Sequence, residues 1–457
     1  MQKTFVLDTN ILIGTSGDVL DSLFATDNHV VITHTTLDEL DRHKGDPGER
    51  GYAVRESIRK IFAFKDQRYG DYENGYHTPG GGTFRIELDH IDGEYLPSDW
   101  DKAKNDNKIL SAAAWLSHTL DEQVILITND AGMYMDALMA GLKVQNYKDE
   151  QVNADQLYMG RDDFDISPAA LQRLFKEKTL PVGKVLKKKD CPLVLPNEFL
   201  TLHCGNQAPP CFVDSTGENI TYLDDETAFG GITGKNSGQR FALHALLAPA
   251  DEIPLVIIRG GAGSGKTFLS LAAGLSKVYD ERKYSEYDKV IITRSNTLAG
   301  GQSEDLGFLP GTLEDKMAPL LAPFYDNLKT ILKGDSKEDP EQLKIQADDL
   351  IASDLVEICA FAYLRGRSIP NSYMIIDEAQ NLTVNQVRTA CTRAAMGTKL
   401  VFLGDINQID APRLDKRTCG LSYLSEKFKG NPLCAQVMLT DDECVRSPLA
   451  TEAAKIL

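Results

Sequence analysis

The sequence predicts a multidomain α/β protein with a small β-rich connector, and three observations predict it. The chain has 457 residues, more than the about 100–200 that one domain ordinarily takes. Short apolar runs alternate with helix-period segments at both ends of the chain. Between them the texture changes to apolar triplets punctuated by turn signals. The expected domains are residues 1–150, a connector over 151–229, and 230–457.

In the first domain Phe5–Leu7, Val30–Ile32 and Val124–Thr128 read as strands, and Ile109–Leu116 and Ala131–Ala140 as helices. The stretch Tyr69–Gly82 reads as a mobile loop, because several glycines and a proline interrupt any period. In the connector, Phe199–Leu202 and Ile220–Leu223 are separated by turns such as Ser215–Asn219. Beyond it, Leu255–Ile258, Val290–Thr293, Leu355–Ala360, Tyr373–Ile376 and Leu400–Leu403 predict one parallel-sheet nucleotide-binding core. No internal repeat is present.

A hydrophobic fraction of 42% and a charged fraction of 25% are those of an ordinary globular chain. The net charge of −18 excludes a generally basic surface that coats nucleic acid, so any such contact must be local. Lys184–Lys189 is the one concentrated basic patch, with a strand edge protected by lysines as its alternative reading. The eight cysteines form no CxxC pair, which points to reduced thiols in a cytoplasm. Cys191, His203, Cys204 and Cys211 are close in sequence but poorly spaced for structural zinc. The first residues carry no apolar signal core, and no run approaches the about 20 apolar residues that span a bilayer.

Gly260-Gly261-Ala262-Gly263-Ser264-Gly265-Lys266-Thr267 fits GxxxxGK[ST] between an apolar strand and a helical pattern. The glycines let backbone N–H groups face phosphate oxygens at a helix N-terminus. Lys266 is expected to neutralise the β- and γ-phosphates of ATP, and Thr267 to offer a hydroxyl to Mg²⁺. Tyr373–Gln380 is an apolar strand ending in Asp377, expected to hold magnesium through water, and Glu378, expected to polarise the attacking water. Gln408 follows a third strand and is placed to sense the γ-phosphate. Gln239 resembles the adenine-reading glutamine of helicase Q motifs, with an exposed helix glutamine as the alternative. An arginine must meet charge on the transferred phosphoryl group, and the candidates are Arg365, Arg367, Arg393 and Arg446. Arg393 and Arg446 are carried forward. About 190 residues follow the P-loop, room for one motor core rather than two. A neighbouring subunit in a head-to-tail ring is therefore expected to complete each site.

Four acids of the first domain fall at strand ends or helix starts: Asp8, Glu39, Asp106 and Asp130. An α/β sheet converges such positions on one cleft. Packed anions need protons or cations, and carboxylates holding Mg²⁺ or Mn²⁺ can activate water against a phosphodiester. Taken singly, each acid has an ordinary reading as a cap or a helix-surface residue. Glu39 is the least secure, since Asp38, Asp41 and Asn10 are neighbours of similar chemistry.

Asp8-Thr9-Asn10, Glu39, Asn105-Asp106-Asn107 and Thr128-Asn129-Asp130 resemble the PIN nuclease pattern. From Gly231 onward GGAGSGKT, Tyr363–Ser368 (YLRGRS), IIDEAQN, LGDINQID and the terminal ECVRS resemble the PhoH ATPase. With Pro196–Phe199 in the connector, the chain is similar to the fused PIN–PhoH proteins over nearly its whole length. That resemblance implies a PIN-like α/β/α domain, a connector and a RecA-like P-loop ATPase domain. It also implies an ATP-dependent RNA helicase coupled to a ribonuclease, acting on single-stranded RNA as a ring, a hexamer. The family usually closes with Val-Arg-His, whereas this chain reads Val445-Arg446-Ser447. Two alternatives stand beside this reading. One is an ATP-switched nucleic-acid-binding regulatory assembly, of phosphate-stress or toxin–antitoxin kind, with little or no nuclease activity. The other is a motor acting on DNA, since the motor motifs do not distinguish the 2′-hydroxyl.

Overall fold

The structure is a computed structural model that describes residues 2–14, 18–46, 48–63, 70–71, 75–147, 157–191, 194–279, 285–294, 313–334, 339–364, 367–411 and 414–444. The chain divides into two compact units, Met1–Glu150 and Gln151–Leu457.

The first unit runs β1 (Lys3–Leu7), α1 (Thr9–Gly14), α2 (Asp18–Phe24), β2 (His29–Thr33), α3 (His34–His43), α4 (Gly48–Phe62), β3 (Gly70–Asp71), β4 (Gly75–His77), β5 (Thr83–Glu87), α5 (Asn105–Thr119), β6 (Gln123–Ile127), α6 (Ala131–Met139) and β7 (Lys143–Gln145). The strands form one sheet in the order β3-β4-β5-β2-β1-β6-β7. β1 lies parallel to β2 and β6, so Leu7, Thr33 and Ile127 end at the same edge. Alternate residues face two cores. Leu7, Ile32, Ile125 and Ile127 pack with α1 to α4, whereas Val6, Val31, Val124 and Leu126 pack with α5 and α6. Burial on both faces is why these strands read as unbroken apolar runs. The stretch read as a mobile loop differs: its described part pairs Tyr76 with Phe84 and His77 with Thr83 as an antiparallel hairpin. Gly80 and Gly82 sit so close to the Ala25–Asn28 backbone that a Cβ at either meets it under 3 Å. The glycines there serve close packing rather than motion.

The second unit opens with β8 (Arg161–Asp165), α7 (Pro168–Glu177), β9 (Thr179–Pro181), α8 (Val182–Val185), β10 (Phe199–His203), β11 (Pro210–Val213) and β12 (Asn219–Tyr222), a five-stranded sheet in the order β8-β10-β11-β12-β9. Lys184 falls on α8, and Lys187, Lys188 and Lys189 on the turn after it, all exposed. The patch is thus a helix end and turn, not a strand edge. Cys191 Sγ donates to Lys187 O at 3.4 Å and Cys211 Sγ to Pro209 O at 3.8 Å. All eight cysteines are free thiols.

Then follow β13 (Thr227–Ala228), β14 (Ile232–Thr233), α9 (Ser237–Leu247), β15 (Leu255–Gly260), α10 (Lys266–Val278), β16 (Lys289–Arg294), α11 (Leu313–Lys333), α12 (Pro340–Ala352), β17 (Val356–Ala360), β18 (Ser372–Asp377), α13 (Val384–Arg393), β19 (Lys399–Gly404), α14 (Gly420–Lys427) and β20 (Cys434–Leu439). Six of these strands make an all-parallel sheet, β17-β16-β18-β19-β15-β20. β19 therefore stands between the P-loop strand β15 and β18. Val256, Ile258, Tyr373 and Leu403 bury one face with α9 and α10, while Ile257, Met374 and Phe402 bury the other with α13 and α14. Among the described residues, no helix is long and apolar enough to cross a membrane.

Candidate functional site

Chemistry-bearing side chains gather at the carboxyl ends of the parallel strands in both units, as α/β topology dictates. In the first unit Asp8 follows β1 and is 5% exposed. Thr128 Oγ1, after β6, donates to Asp8 Oδ2 at 2.6 Å. Thr128 Oγ1 in turn accepts from Asp130 N at 3.0 Å and from Asn10 Nδ2 at 3.3 Å. Thr9 Oγ1 donates to Glu39 Oε2 at 2.5 Å and Asn105 Nδ2 to Glu39 Oε1 at 2.7 Å. Glu39, not Asp38 or Asp41, is therefore the α3 acid joined to this network. Asp38 faces His34, and Asp41 pairs with Lys44. Asp130 caps α6 by accepting from Met133 N at 2.8 Å. Lys104 Nζ lies 2.8 Å from Asp106 Oδ2. Burial, then the nearby Asp106 charge, pushes the Asp8 carboxyl up to about 6 against the opposing Thr128 bond.

All four acids belong to one connected end of the sheet. They do not form a ready-made cage: among the described residues, no three His, Cys, Asp or Glu side chains converge to hold a metal ion. The donors nearest that role are Asp8 and Asp106, hard carboxylate oxygens of the kind Mg²⁺ and Mn²⁺ prefer. Asp8 also carries the burden that a cation relieves, a buried carboxylate with a second acid beside it. The chemistry of this pair fits a divalent ion that keeps several waters. Glu39 and Asp130 each accept hydrogen bonds beside that pair, from Thr9 and Asn105 and from Met133 N.

In the second unit the P-loop leaves β15 and enters α10 with Gly263 and Gly265 in the left-handed region, φ 73° and 88°. Only glycine takes these angles without strain. Lys266 Nζ donates to Gly260 O at 2.6 Å and Gly261 O at 2.9 Å, curled over the loop it serves. Burial holds its ammonium below the ordinary lysine range, opposed by the charges of Asp405, Asp377 and Glu378. Thr267 Oγ1 lies 3.3 Å from both carboxylate oxygens of Asp377. Burial, then Glu378, pushes Asp377 up to about 6. This hydroxyl beside a buried, charge-strained carboxylate at a phosphate cradle fits magnesium bound with a nucleotide.

Glu378 itself stands at φ 53°, ψ 38°, a strained angle for a residue with a Cβ. Two contacts hold it there: Arg294 Nη2 at 2.8 Å from Oε1, and Gln380 Nε2 at 2.6 Å from Oε2. Gln380 also donates to Gln408 O at 3.0 Å and accepts from Asp405 N at 3.1 Å, tying the ends of β18 and β19 together. The Gln408 side chain is exposed at that junction. The sequence reading assigns no role to Arg294, Gln380 or Asp405, although all three stand at or just after the ends of apolar strands as the recognised acids do. Gln239 is buried rather than exposed: its Oε1 accepts from Lys235 N at 3.0 Å and its Nε2 donates to Ser264 O at 3.1 Å. Arg367 is held by Glu357 at 2.8 Å. Arg393 is exposed at the end of α13, and Arg365 and Arg446 lie outside the described residues.

A phosphate cradle on a parallel sheet, joined to an acid-bearing α/β/α unit, defines a P-loop nucleotide-binding protein carrying a nuclease-type domain. Comparison with known families agrees: the PIN domain family matches residues 5–148 and the PhoH-like protein family residues 231–457. Protein PhoH2 of Bacillus subtilis is 35% identical over 471 residues, covering 100% of both chains. The PhoH2 proteins of Thermobispora bispora and Mycolicibacterium smegmatis are each 30% identical, covering 100% of this chain and 96% and 97% of theirs. The chain belongs to the PIN–PhoH fusion family, that of the PhoH2 proteins.

Proposed function

We propose that the protein hydrolyses ATP in its P-loop unit to move or unwind single-stranded RNA, and cleaves RNA phosphodiesters in its PIN unit. The reading rests above all on Thr267 and Asp377 meeting beside Lys266 and Glu378 at the carboxyl ends of β15 and β18, across β19. Lys266 releases the loop carbonyls to bind the β- and γ-phosphates, with the P-loop N–H groups around them. Thr267 and Asp377 would hold magnesium, which supplies charge neutralisation on the phosphates. Glu378, aimed by Arg294 and Gln380, takes the proton of the attacking water. Gln408 orients that water. An arginine from a neighbouring copy meets the transferred phosphoryl group, which makes the working form a head-to-tail ring, a hexamer. In the PIN unit Asp8 and Asp106 would hold Mg²⁺ or Mn²⁺, which supplies an activated water, while Glu39 and Asp130 keep the two acids in place.

Two substitutions test this. Lys266→Ala lowers ATP turnover by about 100-fold or more, yet leaves metal-dependent cleavage of unstructured RNA measurable. Asp8→Asn does the reverse. Wild-type ATP turnover in the first, or undiminished cleavage in the second, contradicts the corresponding assignment. A second reading, an ATP-switched RNA-binding assembly with little nuclease activity, is favoured by one observation: Lys104 Nζ occupies Asp106 where a cation is wanted. A gel assay with Mn²⁺ and labelled RNA separates the two, and the same strand made as DNA tests the choice of nucleic acid.

A further inference from the structure

Glu443, which opens the terminal motif Glu443–Ser447, has no part in the chemistry above, yet it is a hub. Glu443 accepts from Arg161 Nη1 at 2.7 and 2.9 Å, from Gly238 N at 2.8 Å, and from Thr440 N and Oγ1 at 3.1 Å. Its carbonyl accepts from Asn236 Nδ2 at 2.8 Å. The fit is tight, since a Cβ at position 238 meets Glu443 Oε2 at 2.4 Å. Asn236 also caps α9 by accepting from Gln239 N at 2.9 Å. Gln239 then spans to Ser264 O inside the P-loop, and a Cβ on Gly265 touches its Nε2 at 3.4 Å. A continuous set of bonds therefore runs from Arg161 on β8, through Glu443 and the α9 N-terminus, to the phosphate cradle.

The other end is equally anchored. Residues just ahead of Arg161 are built into the nucleotide-binding sheet. Arg259 of β15, 2% exposed, donates to Tyr158 O. Met438 N of β20 donates to Met159 O at 2.9 Å, and Gly160 presses on Gln436 so closely that a Cβ meets its carbonyl at 1.9 Å. The Arg161 guanidinium also lies over the Phe241 ring of α9, 5.2 Å from its centroid. Without it, the Glu443 charge remains largely out of water with its counter-charge gone.

We propose that Arg161 and Glu443 are positioning residues for the nucleotide site, holding the Gln239 clasp on the P-loop, so that the connector segment Tyr158–Arg161 sets nucleotide affinity. The inference rests on the ATPase reading. Gln239 bonds to the loop backbone at Ser264 O rather than to a base, so the effect should be the same for ATP and GTP.

The test measures KM and kcat for ATP, binding of ATP and GTP by competition, and melting temperature in the full chain. The forms compared are wild type, Arg161→Ala, Arg161→Lys, Gln239→Leu and Lys266→Ala. Arg161→Ala and Gln239→Leu should raise KM about tenfold with kcat within about twofold, the signature of lost uniform binding. Both should weaken ATP and GTP by the same factor, and Arg161→Lys should fall between. A merely structural role lowers the melting temperature and the active fraction without moving KM. If Arg161→Ala does not fold, Arg161→Lys is judged by the same criteria. A KM within twofold of wild type in the folded Arg161 variant overturns the proposal. So does a Gln239→Leu protein that loses ATP alone, which makes that glutamine a base reader. Wild-type turnover in Lys266→Ala instead overturns the ATPase reading itself.

Discussion

Asp8 and Asp377 share a predicament: each is buried at a strand end beside a second acid, and each is pushed up to about 6. For Asp8 the folded value stands above the ordinary 3.8. The folded protein therefore binds the proton more tightly than the unfolded chain. Ionisation costs stability progressively as pH rises from about 4 through about 6, and the whole cost persists above that. Asp8→Asn removes the charge while its amide oxygen still accepts from Thr128. At pH 7.5 in chelator this variant should stabilise the first unit by up to about 3 kcal/mol, and by roughly half that at pH 5. Thermal unfolding at the two pH values checks it, and a loss of stability at both would contradict the burial account. On the proposed function the same substitution should also abolish cleavage, which would make Asp8 a carboxylate kept for its chemistry against its own cost.

At the scale of elements, legibility followed burial. β1, β6, β15, β18 and β19 were readable because a parallel strand covered on both faces is an unbroken apolar run, and the acids after them marked the working edge. β20 pairs with β15 yet escaped reading, because Gln436 interrupts its run. That glutamine is buried, accepting from Ser425 Oγ at 2.6 Å. The β4–β5 hairpin was hidden by glycines whose purpose, close approach to Ala25–Asn28, is visible only in three dimensions. Arg161 and Glu443 lie 282 positions apart, a separation that no local period encodes. The lysines after α8 show the converse: the patch was legible and its structure was not. Exposed on a turn, Lys187, Lys188 and Lys189 present charge without a partner sheet. If they hold three phosphates, replacing all three with alanine weakens single-stranded RNA binding and flattens the dependence of log K on log salt by about 2. An unchanged slope in a filter-binding titration moves the RNA path elsewhere.

For the whole molecule, the decisive question is where the second half of the ATPase site comes from. Within one chain the P-loop, Asp377 and Glu378 stand at the carboxyl ends of the strands. Arg393 lies at the other end: its carbonyl accepts from Ile369 N at 3.1 Å, three residues before β18 begins. The six residues of β18 put about 20 Å between those ends, beyond the reach of a side chain to its own cradle. Arg393 is exposed there, whereas Arg367 is bound to Glu357. If copies assemble head to tail as proposed, Arg393 is the exposed candidate that a neighbour's site would use. Arg393→Ala and Lys266→Ala should each be inactive alone, with turnover reduced by about 100-fold or more. Mixed in equal amounts and allowed to exchange, they regenerate sites in which an intact cradle meets an intact arginine. Random assembly gives about a quarter of the wild-type rate. Rings shown to be mixed that recover no activity would exclude Arg393 from the neighbour's site and leave the arginine to be sought elsewhere in the chain.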